Sequence, residues 1–455
     1  MLILNTKKIH IFVPYAYLTI KTTMKNISGF SKLTKQQKIQ WLCDTYFPDD
    51  KDAFSNFKKY HNADETLQKL HDEFIENTVT NFYLPFAVAP NFVINGKTYT
   101  VPMAIEESSI VAAASRAAKY WETRGGFKAE VISTEKNGQV HLMFYGKKAD
   151  LECFFEKIHS KMLTDAKHIT SNMEKRGGGI STLRLVDKTS ELANYYQLFA
   201  SFETLDAMGA NFINSCLEQF AETFRQEALK HPEIDGKYEI VMSILSNYVP
   251  ECLVKVSTSS PVENLAVAGL SGKEFAEKFV RAIAIANSEV RRATTHNKGI
   301  MNGMDAVILA TGNDFRAVEA GVHAYAARSG KYQSLTKAHI KDDIFHFEIE
   351  VPLALGTVGG LTNLHPLVKT ALQILEKPSA SELMQIVATV GLAQNFAAVS
   401  SLITLGIQKG HMKMHLMNIL NQLGASDRQK EQITEYFKDK TVTHSEVVRI
   451  FEQTK

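Results

Sequence analysis

Residues 295–314 read THNKGIMNGMDAVILATGND. The stretch sets one lysine, Lys298, among three glycines and ends on a carboxylate, Asp314, with the apolar run AVILA between them. An apolar run of that kind belongs inside a fold. The two charged groups flank it, each next to glycine, which is how a chain delivers a cation and an acid from the ends of a buried segment. Glycine and asparagine around Lys298 place it in a loop, and ATGND, 310–314, reads as a turn that presents Asp314.

The rest of the chain bounds what such a pair can do. At 455 residues it is long enough for two or three domains and a large core. Apolar content of 45% and charged content of 22% are those of a soluble globular protein, and a net charge of +2 gives no broad field for nucleic acid or a membrane surface. Cys43, Cys153, Cys216 and Cys252 are scattered without CxxC spacing. That disfavours a disulfide framework or a structural zinc site and fits buried free thiols in a reducing, cytoplasmic compartment. Residues 9–20, IHIFVPYAYLTI, follow Lys7 and Lys8 like a signal peptide, but no small-residue cleavage site comes after them and the run is too short to span a bilayer. Residues 1–23 therefore read as an extension ahead of Met24.

Helical spacing runs through 32–76, and strands through 82–103, where Asn95-Gly96 is a hairpin turn. SSIVAAASRAAKYWETR, 108–124, is an Ala-rich helix stopped by Gly125-Gly126. From 127 to 226, strand-like AEVIST, QVHLMFYG and STLRLVDK alternate with two helical runs, as in a compact α+β unit on an antiparallel sheet. Mixed α/β character returns from 227 to 380, and 381–455 is helical.

Four stretches combine charge, glycine and element ends. MAIEESSIVAAAS, 103–115, puts Glu107 and Ser109 at a helix start, where an acid is favoured by the helix dipole whatever its other role. RRATTHNKGIMNG, 291–303, carries Arg292, Lys298 and Asn302; ATGND carries Asp314; QKGHMKMH, 408–415, carries His411 and His415 four apart. Without the Glu of HExxH or a cysteine partner, the histidine pair does not read as a metal site. Together with ENTVTNFYLPFAVAPNF, RGGG at 176–179, DAMGAN at 206–211, ATGNDFRAVEAGVHAYA and PLALGTVGG, these stretches resemble the hydroxymethylglutaryl-CoA reductases, and among them the soluble bacterial class without a membrane anchor. The resemblance runs from about residue 28 to the C-terminus. The family's ENVIG stretch stands here as Glu76-Asn77-Thr78-Val79-Thr80, without its glycine.

That resemblance implies an α+β, mixed α/β fold. A large discontinuous substrate-binding domain (24–126 and 227–380) would hold an inserted small ferredoxin-like cofactor domain (127–226), followed by a C-terminal helical flap (381–455). It implies reduction of hydroxymethylglutaryl-CoA to mevalonate and CoA by two NAD(P)H, in a homodimer with active sites at the interface. It implies a catalytic set of Glu107, Lys298, Asp314 and His411, with Arg292, Ser109, Asn247 and Asn302 on the substrate. Lys298 would stabilise charge developing on the carbonyl oxygen, held charged by Asp314. Glu107, its pKa raised by burial and by Asp314, would protonate that oxygen, and His411 would protonate the leaving thiolate.

No GxGxxG follows a strand, so a Rossmann site is disfavoured. The cofactor instead maps to DAMGAN, with Asp206, Met208, Gly209 and Asn211 near a helix N-terminus suited to a pyrophosphate. Lys167 and His168, without an acid at 168–172, favour NADPH over NADH. Two rivals remain at this level: a CoA-thioester enzyme acting through Cys216 or Cys252, and a non-catalytic CoA- or nucleotide-binding homologue.

Overall fold

The computed structural model describes residues 26–267, 269–404, 416–438, 440 and 442–454. The proposed extension, His411 and His415 lie outside the described residues. The chain divides into two compact units at Leu84/Pro85. The first holds helices α1 (Lys35–Tyr46), α2 (Ala53–Lys59) and α3 (Glu65–Asp72). Thr34 opens α1 with a reciprocal capping box to Gln37, and Ile39, Cys43 and Ala53 form its small core.

The second unit begins with a hairpin, β1 (Phe86–Ile94) and β2 (Lys97–Ala104), closed by Asn95-Gly96 with both residues at positive φ, as the sequence predicts. The Ala-rich helix follows as α4 (Ile110–Glu122), then β3 (Lys128–Val131) and β4 (Lys136–Phe144). Helices α5 (Lys148–Asp165) and α6 (Lys167–Glu174), strands β5 (Gly179–Asp187) and β6 (Tyr195–Glu203), helix α7 (Ala210–Ala228) and strand β7 (Tyr238–Leu245) come next. β4 through β7 form an antiparallel sheet in the order β5-β6-β4-β7, the ferredoxin-like arrangement. Along β4 the side chains of Val140, Leu142 and Phe144 are buried at every second position, packing one face of the sheet with α5 and α7 into a core of its own.

Two boundaries differ from the sequence reading. β3 joins the other sheet, and β7, assigned above to the large domain, completes this one. β7 pairs with β4, about a hundred residues earlier, a non-local partnership that alternation within the strand does not encode.

The larger core lies around a second antiparallel sheet, β3-β8-β10-β9, with β8 (Leu253–Pro261), β9 (Thr336–Lys341) and β10 (Ile344–Pro352). Helices α8 (Gly272–Ser288), α9 (Val290–Ala310), α10 (Phe315–Ala326), α11 (Leu361–Leu364), α12 (Pro366–Ile374) and α13 (Ala380–Ile403) complete it. α13 is apolar around nearly its whole circumference because it runs through this core. Among the described residues it is the one helix long and apolar enough to cross a membrane, and that length is spent on burial instead. Its place in the core corrects a flap starting at residue 381.

α9 and α13 approach closely through glycine. A Cβ on Gly303 would lie 2.8 Å from the Gln394 Cβ, and one on Gly391 would lie 2.6 Å from the Met304 side chain. Beyond residue 415, helical residues 416–422 and helices Asp427–Tyr436 and His444–Gln453 gather Leu416, Leu420, Ile433, Val447 and Phe451 into a small separate core.

Candidate active site

Lys298 is not in a loop. It stands in the middle of α9, in spite of Asn297, Gly299 and Gly303, because packing overrides their weak helix propensity. His296 and Asn297, on the inward side, are buried and hydrogen-bonded. His296 Nε2 meets Thr336 Oγ1 at 2.7 Å, and Asn297 Nδ2 donates to the Gln333 carbonyl at 2.8 Å. Burial holds the His296 imidazole down at about 3, so it stays neutral. Glu289 caps the helix by accepting from the amides of Arg291 and Arg292.

The outward side opens on a groove of about 450 Å³ walled by α4, α9 and α13. Five of the sequence-predicted residues line it: Glu107, Ser109, Arg292, Lys298 and Asn302. Lys298 Nζ donates to Glu107 Oε2 at 2.8 Å, joining residues 191 positions apart in sequence. Their side chains are 61% and 43% exposed, so the pair contributes at most about 1 kcal/mol to stability. Stability does not explain it. Nor is Glu107 buried here as expected, since it stands just before the start of α4 and faces the open groove.

Arg116, His296, Gln394 and Asn395 also line the groove, and sequence reasoning missed them. For Arg116 the signal was present: Ser109, Ala112, Ala113 and Arg116 follow helical spacing on one face of α4.

Asp314 lies elsewhere in the chain. It caps α10, accepting from the amides of Arg316 and Ala317 and from Arg316 Nε. Lys298 is twelve residues before the end of α9 at Ala310, a rise of about 18 Å, and Asp314 lies beyond that end. Within one chain Asp314 therefore does not hold Lys298. Asn247 also departs from the groove. It lines a small pocket with Met208 beside Ala317, Val318 and Gly321 of α10.

Asp305, two turns along α9 from Lys298, is half-buried, and burial together with Glu319 of α10 pushes its carboxyl up to about 8.

The DAMGAN stretch is pinned between the two sheets' units. The Asp206 carbonyl accepts from the amides of Thr357 and Val358, and its carboxylate accepts from the Ala380 amide at 2.7 Å at the start of α13. That occupation gives Asp206 a positioning part. Gly209 adopts φ 91° at the N-terminus of α7, which has no side-chain cap, and Asn211 is exposed in its first turn. Uncapped amides behind a glycine fit a pyrophosphate. Lys167 is exposed but paired with Glu174 at 2.8 Å, and His168 Nδ1 bonds the Asp165 carbonyl, so neither is a free cation as the sequence reading supposes.

The thiol rival loses its chemistry. Burial pushes Cys216 up to about 12 and Cys252 up to about 11, so neither forms a thiolate near neutral pH, and the Cys252 thiol donates to the Leu353 carbonyl. Cys153, expected to be buried, is exposed.

The family model for hydroxymethylglutaryl-coenzyme A reductase matches residues 36–416. The chain belongs to this family. Among relatives, the 3-hydroxy-3-methylglutaryl-coenzyme A reductase of Archaeoglobus fulgidus is 34% identical over 415 residues, covering 90% of each chain. Among solved structures, the class II reductase of Streptococcus pneumoniae, bound to NADPH in open conformations, superposes with a TM-score of 0.69. It is 35% identical and covers 83% of this chain and 100% of that one. A second structure of the Streptococcus pneumoniae reductase covers 94% and 100% at 33% identity, again with a TM-score of 0.69. In this reductase family member the Glu107–Lys298 pair shares one groove with Arg292, Ser109 and Asn302.

Proposed function

We propose that the chain reduces (S)-3-hydroxy-3-methylglutaryl-CoA to mevalonate and CoA, consuming two NADPH and two protons, in the cytoplasm as part of the mevalonate route to isoprenoids. The observation that carries this reading is the Lys298–Glu107 pair at 2.8 Å in a groove that also holds Arg292, Ser109 and Asn302. Gly209 and the uncapped amides at the α7 N-terminus would hold the nicotinamide cofactor, which would supply a hydride to each of the two reductions.

Lys298 stabilises the oxyanion that forms as the thioester carbonyl is reduced, and Glu107 protonates it to the thiohemiacetal. When the C–S bond breaks, the hydroxyl proton returns to Glu107 and His411 protonates the departing CoA thiolate. Lys298 and Glu107 then repeat their parts on the aldehyde. Asn302 orients the acyl carbonyl, Arg292 and Ser109 hold the free carboxylate, and Asn247, which lies beside α10, reaches the acyl hydroxyl from a second copy of the chain.

Asp314 reaches Lys298 from a second copy of the chain. The span along α9 supports this, because a two-fold partner is the simple way to bring an acid from the far end of the helix to the lysine. The homodimer then has its active sites at the interface, and the helices after residue 415 close over them.

Absorbance at the nicotinamide band tests the reading. Two equivalents of NADPH should be oxidised per hydroxymethylglutaryl-CoA, more efficiently than NADH. No oxidation of either cofactor by folded dimer would favour the non-catalytic reading, and a lower KM with equal kcat for NADH would reverse the cofactor preference.

A further inference from the structure

The groove holds more positive charge than its own residues neutralise. Its ionisable lining consists of Glu107, Lys298, Arg116 and Arg292, besides the neutral His296. Lys298 and Glu107 satisfy each other. Among the described residues neither arginine has a carboxylate partner. Arg116 Nη2 makes a long hydrogen bond of 3.4 Å to Ser401 Oγ, and among the described residues no hydrogen bond engages the Arg292 guanidinium. Two uncompensated guanidiniums facing one cavity mark the place of an anion from outside. Burial works against the charge on Arg292, which an arriving anion would offset.

The helix registers put the two arginines at one level. α9 and α13 run antiparallel, with Gly303 against Val390 and Gln394, and His296 against Asn395. One turn back along α9 from His296 is Arg292, which therefore faces α13 about one turn beyond Asn395, in the groove that Ser401 also lines. On the other wall, the Tyr120 ring of α4 packs at a tilt against Phe396, and Arg116, one turn earlier, reaches Ser401 itself. Between the arginines the walls are small and apolar: Ala112, Ala113, Ala397, Ala398 and Leu402. Arg292 lies six residues, a rise of about 9 Å, from Lys298. With side chains reaching inward, a short acyl chain bridges that distance.

We propose that Arg116 is a second substrate-binding arginine, which with Arg292 clamps the free carboxylate of the acyl group from opposite walls of the groove. The inference rests on the functional reading above and adds a residue to it. The phosphates of CoA are the other anions of the substrate. They lie at the far end of the pantetheine arm, whereas both arginines share one groove with Lys298, the residue placed on the reacting carbonyl.

Arg116→Gln and Arg116→Lys, assayed with hydroxymethylglutaryl-CoA and with mevaldehyde, test it, because mevaldehyde keeps the carboxylate and lacks CoA. Arg116→Gln should raise KM for both substrates by about 10–100-fold, the effect of losing a charged hydrogen bond, with kcat little changed. Arg116→Lys should recover part of that loss, which a merely structural arginine would not predict. The methyl ester of the acyl carboxylate should show the same KM with wild type and Arg116→Gln. A KM raised for hydroxymethylglutaryl-CoA alone would assign Arg116 to CoA and overturn the clamp, as would unchanged KM values or a loss confined to kcat. A wild-type protein that turns over neither substrate would instead sink the functional reading itself.

Discussion

The two halves of the catalytic apparatus differ in kind. The groove between α4, α9 and α13 is a cavity rich in cations, with Arg116, Arg292 and Lys298 against one carboxylate, Glu107. The α10 half lines a small pocket instead. It offers a carboxylate, Asp314, at a helix N-terminus, with Asn247 and the 206–209 loop nearby. Each half lacks what the other presents, and about 18 Å of α9 separates them within one chain. In the two-fold dimer proposed above, each copy would supply what the other lacks.

Removing the cation from the groove half should have the largest effect. Lys298→Ala should lower kcat at least about 10²–10³-fold for both thioester and mevaldehyde, since both steps develop charge on oxygen. The exposed position of Lys298 predicts little change in Tm. His411→Ala should cut thioester turnover and spare mevaldehyde, where no thiolate departs, and equal losses in steady-state assays would remove its assigned part.

The pairing of halves can be broken directly. Lys298→Ala and Asp314→Ala should each be inactive alone. Co-expressed in equal amounts, half of the dimers are mixed and carry one intact site of two, which should restore about a quarter of wild-type turnover. Continued inactivity of verified mixed dimers would show that both residues act within one subunit.

A smaller effect sits at the junction of the halves, where Asp305 of α9 meets Glu319 of α10. The folded-state pKa of Asp305 is raised, so the native state keeps a proton that the unfolded chain gives up near pH 4. Stability from this group is full below that value and is lost as pH rises through about 8. Asp305→Asn keeps a donor toward Glu319 without needing the proton. It should match wild type near pH 4 and exceed it by about 1–3 kcal/mol at pH 8, after allowing for partial exposure, in denaturant titrations. An unchanged pH slope would count against a shared proton. The smallest effect belongs to the thiols: alkylating native protein should label Cys153 and leave turnover intact.

Much of this was legible in sequence. Asn95-Gly96 dictated its hairpin through positive φ, and the small side chains of α4 dictated a close-packed helix with a glycine stop. Local chemistry sufficed there. Where partners are distant it did not. Glycines at 299 and 303 read as a loop, yet Gly303 is what allows α9 to lie against α13. The all-round apolar character of α13 signalled burial, and its position near the C-terminus obscured that. Lys167 looked like a phosphate ligand because sequence does not show Glu174 folding back onto it. Glu107 and Lys298 were identifiable as a pair by resemblance, while the distance separating Lys298 from Asp314 became apparent only once α9 was seen as one unbroken helix.

The paired glycines at 303 and 391 have a mechanical consequence. Each helix fits into the notch that the other leaves, so two of the groove's three walls behave as a single casting of fixed gauge. A side chain at either glycine would wedge those walls apart and change the gauge of the groove they share.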